Sequence, residues 1–453
     1  MIIQNAVGSR SSPNCSTTGF AHGLPAGSKC RYNSKMKYRV SALALLLLCR
    51  FGWAQEKHAA PPDQKVVTVP AAIDHNHVII NTDVPLPNGS SQRVRAWLDN
   101  GDPDLSLSRR LATLLGLAVT CDEHECTSPP PREIVVGGLT ISLAEVKQAK
   151  IPLRPVSAAS VMAGGIDAEI NLPARVLRRY DVLIDFPGHK FSIGAPGTIH
   201  FQGASGKVQL NAENGLIQIP SQLENKKYNF ALDLGSCFSF LSDDLFEKLA
   251  AAHTDWPHMT GAVGPANMWG LDDEPNWKLM RIERLQYGPL FLANLAVAEF
   301  PKDRMDYFSK RAGIATAGLI GANQMLNYRV GLDYAHSMVY FDIGRTFTFP
   351  DFDVIGLILR PEDDGRYTIL GVADFDGKPS LPDTVQPGDQ LIAVNDIPVR
   401  GSTMGQVWSM LGGTPGQERR LTIERAGNRF AVSATIRHFL AELPDEPKGK
   451  KQK

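Results

Sequence analysis

Two aspartates stand apart from the other acidic residues by their surroundings. Asp99 and Asp233 each end an apolar run, VRAWLD and YNFALD, and each opens an Asp-x-Gly turn. A Ser- and Leu-containing stretch follows each turn, LSLS after the first and FSFLS after the second. Far downstream, each copy has a tail ending in an aromatic Asp strand, LIDF at 183–186 and GLDY at 331–334. Taken alone, an Asp-x-Gly tripeptide means a turn, because Gly accepts positive φ and Asp caps turns locally. Asp342-Ile343-Gly344 and Asp363-Asp364-Gly365 fit that description and lack the duplicated context. Two half-sites that each bring one carboxylate offer a specific chemistry. Carboxylates about 3 Å apart cannot both ionise, so they share one proton. The ionised member can then polarise a water while the protonated one stabilises a developing oxyanion.

The elements that must hold these residues are short apolar runs broken by turn signals. From about residue 76 they read HVIINTDVPL, RVRAWLD, EIVVGGLTISL, YDVLIDF and HKFSIG, a mainly β pattern with occasional helix. The texture returns at VQLNAENGLIQIPSQ and runs to MVYFDIG, with QGASG at 202–206 as a joint. SDDLFEKLAAAH reads as a helix capped by Ser242, with Leu245, Phe246 and Leu249 on its apolar face. GPANMWGLDDEPNWKL reads as a mobile hairpin whose Trp269 and Trp277 either line a cleft or pack at the surface. Beyond about residue 350 a compact α+β module begins, ending near Leu440. Its strongest segment is DTVQPGDQLIAVNDIPVRG, where Pro-Gly-Asp turns the chain between strands. The charged residues 441–453 read as a disordered tail.

With these motifs, residues 76–348 resemble a tandem pair of retropepsin-type half-domains, as in the bacterial exported aspartyl protease family. The C-terminal module resembles a PDZ domain. The resemblance implies a mainly β fold: a bilobal aspartic-peptidase-like β-barrel pair (lobes 73–203 and 204–348) followed by an α+β PDZ-like domain at 349–440. It implies that Asp99 and Asp233 meet at a pseudo-twofold axis as catalytic residues, supported by Asn100, Gly101, Leu234, Gly235 and Ser236. The implied substrate is a peptide or unfolded protein, with no cofactor and no metal. In the PDZ-like module, Gly356, Leu357 and Ile358 would cradle a peptide beside a helix bearing Met404, Val407 and Leu411. Val407 and Leu411 equally suit a core-facing stripe. The groove ligand would be a substrate C-terminus or an internal segment of the same chain.

The chain departs from that family's pattern at identifiable places. The usual turn is Asp-Thr-Gly followed by Ser or Ala, with the Thr hydroxyl reaching across to the other lobe. Asn100 and Leu234 fill the Thr places, and Asp102 stands where the second lobe keeps Ser236. Downstream, Leu319-Ile320-Gly321 keeps the expected pair of apolar residues and Gly. The first lobe reads Asp167-Ala168-Glu169-Ile170-Asn171, without Gly. Two functions therefore stand side by side: an aspartic endopeptidase, and a peptide-binding protein on the same scaffold that has lost hydrolysis.

The N-terminus points to export. Residues 1–35 read as a polar, non-native or disordered leader, and Met36 rather than Met1 as the true start. Residues 36–54 order a basic lead, a short apolar run and a small-x-small site as a secretory signal does, and 55–72 read as a linker. The apolar run is too short for a stable membrane span, so the mature chain, from Gln55, is expected in the periplasm or outside the cell. Cys121 and Cys126 could close a short loop as a disulfide in such a compartment, or join His124 at a metal. Asp74, His75, Asn76 and His77 read as a polar strand entry or, less readily, a metal-ligating run. Acidic and basic residues balance at 47 each, without a basic stripe, which argues against a nucleic acid partner. Motifs for zinc peptidases, serine hydrolases and nucleotide enzymes are absent.

Overall fold

The computed structural model describes residues 66–123, 125–151, 168–344, 352–375, 378–382 and 384–441. The leader, the export signal, His124, Asp167 and the tail beyond residue 441 lie outside them. The described chain is mainly β. Where a linker was expected up to residue 72, strand Val67–Asp74 already begins, with Val67 and Ala71 buried. It turns into His77–Pro85 through His75 and Asn76, both at positive φ (47° and 66°), the mirror-image turn that suits strand twist.

Six consecutive strands of an eleven-stranded sheet bridge the halves, three from each. In order they are Val67–Asp74, Lys190–Gly194, Asp181–Asp185, Tyr328–Asp333, Met338–Ile343 and Ala204–Lys207. At their centre Leu183 faces Gly331, Asp181 faces Asp333 and Asp185 faces Arg329. Residues 181 and 185 hold the places of 329 and 333 in their own half, so the register is that of a local twofold. The LIDF and GLDY tails are therefore the seam between the halves.

Each half also carries a parallel strand pair with an aspartate at its end. Ser91–Asp99 lies parallel to Ala168–Pro173, and Lys226–Leu232 lies parallel to Gly318–Ile320. Leu98 pairs with Leu172 and Asp99 with Pro173; Leu232 pairs with Ile320. The backbone bonds Ala174 N to Asp102 O (2.9 Å) and Ala322 N to Ser236 O (2.8 Å) repeat the same relation. The first-half counterpart of Gly321 is thus Pro173, two residues beyond the place read from sequence, and Asn171 corresponds to Leu319.

The C-terminal module is a sheet ordered Leu357–Pro361, Tyr367–Val372, Gln390–Val394, Glu418–Arg425, Asn428–Thr435. Helix Met404–Leu411 accompanies it, started by a capping box between Thr403 and Gln406. One apolar core runs through both halves. A second joins Phe238, Phe240 and Met268 of the second half to Leu359, Val407, Leu411 and Phe439 of the module. The stretch expected as a mobile hairpin is part of that junction. Trp269 stacks on Phe240 at 5.9 Å, Trp277 meets the same ring edge-on at 5.5 Å, and Glu274 is fully buried. No helix among the described residues is long and apolar enough to cross a membrane.

Candidate functional site

The two Asp-x-Gly turns face each other across the seam. A Cβ placed on Gly101 would lie 2.0 Å from Asp233 Cγ, and one on Gly235 would lie 2.5 Å from Asp99 Oδ1. Each carboxylate rests on the other half's glycine, and only glycine leaves the space. Both aspartates keep partial solvent access, whereas Asn100 and Leu234 beneath them are fully buried.

Asn100 ties the turns together. Its Nδ2 donates to Leu232 O (2.7 Å), and its Oδ1 accepts from Leu234 N (2.7 Å). One amide thus supplies a donor and an acceptor across the seam, which leaves the buried Leu234 side chain with no polar duty.

The carboxylates are held differently. Asp233 Oδ1 accepts from Gly235 N (3.0 Å) and Ser236 N (3.0 Å), while the Ser236 hydroxyl donates to Phe238 O (2.7 Å). Asp99 Oδ1 accepts from Asp102 N (3.1 Å), and its Oδ2 accepts from Asn171 Nδ2 (3.3 Å). Asn171 is itself fixed by Ser106 N (2.8 Å) and by its bond to Asp104 O (2.9 Å). Behind Asp233, a Cβ on Gly321 would lie 2.1 Å from Phe238 O, and Gly321 N donates to Ser239 Oγ (3.0 Å).

Burial raises the proton affinity of both acids. For Asp99 the charges of Asp102 and Asp233 add to it, and the pKa stands well above the usual carboxylate range. Asp233 is pushed up to about 6, since the Ser236 and Gly235 N–H groups partly offset burial. The pair titrates as a unit.

Several contributors carried no signal in the sequence. Arg311, at the end of helix Lys302–Ala312, bonds Asp102 Oδ1 (2.8 Å) and Asp104 Oδ2 (2.9 Å), and Lys150 also reaches Asp104 (2.7 Å). Arg311 lies 209 residues from Asp102, and no local spacing announces the pairing.

In the C-terminal module, Gly356, Leu357, Ile358, Val407 and Leu411 come together but are all buried. A Cβ on Gly356 would lie 2.0 Å from Ser380 Oγ. Asn267 of the second half donates from Nδ2 to Leu359 O (2.9 Å) and accepts Leu359 N at Oδ1 (3.0 Å). On the helix side, Thr403 Oγ1 bonds Asp74 Oδ1 (2.8 Å), and His75 Nε2 lies 2.8 Å from Asn267 O. The Asp74–His77 run therefore serves this junction. Cys121 and Cys126 form a disulfide, and Cys237 is a buried free thiol. A cavity of about 1210 Å³ is walled by Asp74, His75, Arg281, Tyr328 and Trp408 among others; neither Asp99 nor Asp233 borders it.

No family model and no curated protein matches the chain. Among solved structures, the chain is similar to a photosystem II D1 C-terminal processing protease at 17% identity and a TM-score of 0.17. The match covers 19% of this chain and 23% of that one, and a likeness so short and loose carries no argument.

Proposed function

We propose that this chain is an exported aspartic endopeptidase of the retropepsin-like kind, with two lobes and a PDZ-like module. The observation that carries the reading is the interlocked pair of turns, with each carboxylate seated on the opposite glycine and Asn100 bonding both ways across the seam. Asp233, its charge supported by two backbone N–H groups, is the ionised member that takes a proton from water. The water oxygen attacks the peptide carbonyl carbon while the Asp99 proton passes to the carbonyl oxygen. Collapse of the tetrahedral gem-diol breaks the C–N bond: the departing amine takes the proton held by Asp233, and one diol hydroxyl returns its proton to Asp99 as the new carboxyl C=O forms. The Cys121–Cys126 disulfide supports an oxidising compartment.

In this reading the module packs on the second half, and its groove ligand is the chain's own second-half segment around Asn267. That amide makes the paired backbone contact that an added peptide strand would make. A peptide from outside would have to displace it.

The test is hydrolysis of a reduced, unfolded protein by the chain from Gln55 across acidic to neutral pH in ¹⁸O water. Expected are one ¹⁸O in each new C-terminus, activity rising through about pH 6 as Asp233 ionises, and loss of cleavage in Asp99→Asn and Asp233→Asn. Intact substrate at every pH, with retained peptide binding, would replace this reading with that of a binding protein.

A further inference from the structure

We propose that Arg311 is a positioning residue of the dyad: from the second lobe it pins Asp102 and offsets part of its charge, so that a third carboxylate can stand in the catalytic turn. The inference rests on the peptidase reading and concerns what sets the pH at which that site works.

Asp102 leaves the same tight turn as Asp99, since its own N–H bonds Asp99 Oδ1. In the other lobe that place holds the uncharged Ser236. A bare carboxylate there would repel the dyad's negative charge. Instead Asp102 Oδ1 accepts from Asp104 N (2.8 Å) and Arg311 Nη2 (2.8 Å), which turns it toward helix Lys302–Ala312. Arg311 is anchored at that helix end. Its carbonyl accepts from Asn211 and Asn214, and its guanidinium lies 5.2 Å from the centre of the Tyr307 ring.

The charged and titratable groups facing this point are few. The catalytic turns bring Asp99, Asp102, Asp104 and Asp233. Strand Ala149–Ile151 brings Lys150, bonded to Asp104, and helix Lys302–Ala312 brings Arg311 and Tyr307. Helix Ala174–Leu177 brings Arg175, whose guanidinium bonds Glu213 O. Lys150 serves Asp104, so Arg311 is the cation in hydrogen-bond contact with Asp102 among the described residues. Without it, Asp102 would act on the dyad as an uncompensated like charge, raising both proton affinities further.

The experiment measures the pH profile of kcat/KM together with the titration of labelled aspartate side-chain carboxyls by ¹³C NMR. Arg311→Met should move the acidic limb and the dyad titration upward by about one pH unit. Arg311→Lys should move them less. Asp102→Ser added to Arg311→Met should restore the wild-type position. A role confined to packing would lower kcat at all pH values, leave the titration in place and give no rescue. Should Arg311→Met not fold, Arg311→Lys still decides, because a weakened bond to Asp102 should shift the titration upward by a smaller amount. An unmoved titration in the folded variants overturns the proposal. Because NMR reads the acids without substrate, a wild-type chain that cuts nothing refutes the peptidase reading without blocking this one.

Discussion

Replacing Asn100 with alanine should loosen the seam between the lobes. Asn100 is fully buried, and its two bonds reach residues 132 and 134 positions away, so they hold tertiary structure alone. Alanine leaves the Leu234 N–H buried without an acceptor among the described residues, at a cost of about 1–3 kcal/mol. The lost bond to Leu232 O adds about 1 kcal/mol, because a carbonyl is less exacting than a donor. The sum, about 2–4 kcal/mol, is a large part of the 5–15 kcal/mol that typically holds a domain together. It corresponds to a fall in melting temperature on the order of 10 °C. Urea unfolding followed by tryptophan fluorescence measures it. Asn100→Leu, which keeps the volume but not the bonds, should lose as much. Asn100→Thr should lose least, since one hydroxyl can donate and accept at once. If the alanine and leucine variants unfold within 1 kcal/mol of wild type, the amide is not what holds the turns together, and the seam must rest on the strands shared by the two halves.

Other expectations concern buried groups away from the dyad. Burial pushes Glu274 up to about 8 from 4.5, so the folded chain carries an extra proton between those values. Its stabilising effect is complete below 4.5 and lost as pH rises through about 8; urea midpoints of Glu274→Gln should vary less from about pH 5 to 8 than those of wild type. His77 behaves oppositely. Burial holds it down at about 3 from 6.5, so its contribution is present above 6.5 and drains as pH falls, and His77→Leu should resist acid unfolding better between about pH 6 and 4. Converting Cys121 and Cys126 to Ser should cost at most about 2 kcal/mol, because the bridge closes a loop of only five positions, and should leave the dyad titration unchanged.

The alternating apolar runs and the duplicated turn made the mainly β character and the two-part layout readable, since strand period and turn chemistry are local. The Pro-Gly-Asp turn and the Met404–Leu411 helix were readable for the same reason, though the helix's capping box was not. Registers were not. A shift of two residues decides whether Asn171 or Pro173 stands opposite Asp99, and only the pairing with Ser91–Asp99 settles it. The fate of the tryptophan-rich stretch was hidden too. Its inward packing depends on Phe240 and on the module's Leu357–Pro361 strand, which a local pattern cannot bring into view. Arg311 is the extreme case: a cation at a helix end is ordinary until its partner 209 residues away is known.

The departures from a symmetrical pair of turns each have an answering residue. Leu234 cannot bond across the seam, and Asn100, with both a donor and an acceptor, bonds for the two of them. Asp102 brings a charge where Ser236 brings none, and Arg311 meets it. Asp99 has one backbone donor where Asp233 has two, and Asn171, in the place of Leu319, supplies a side-chain donor in its stead. Matched changes of this kind differ physically from decay, which would leave buried groups unpaired. They also make a single reversal costly. Asn171→Leu, which restores the second lobe's residue, removes a donor from Asp99 and an acceptor from Ser106 N, and should raise the dyad's proton affinity while lowering stability.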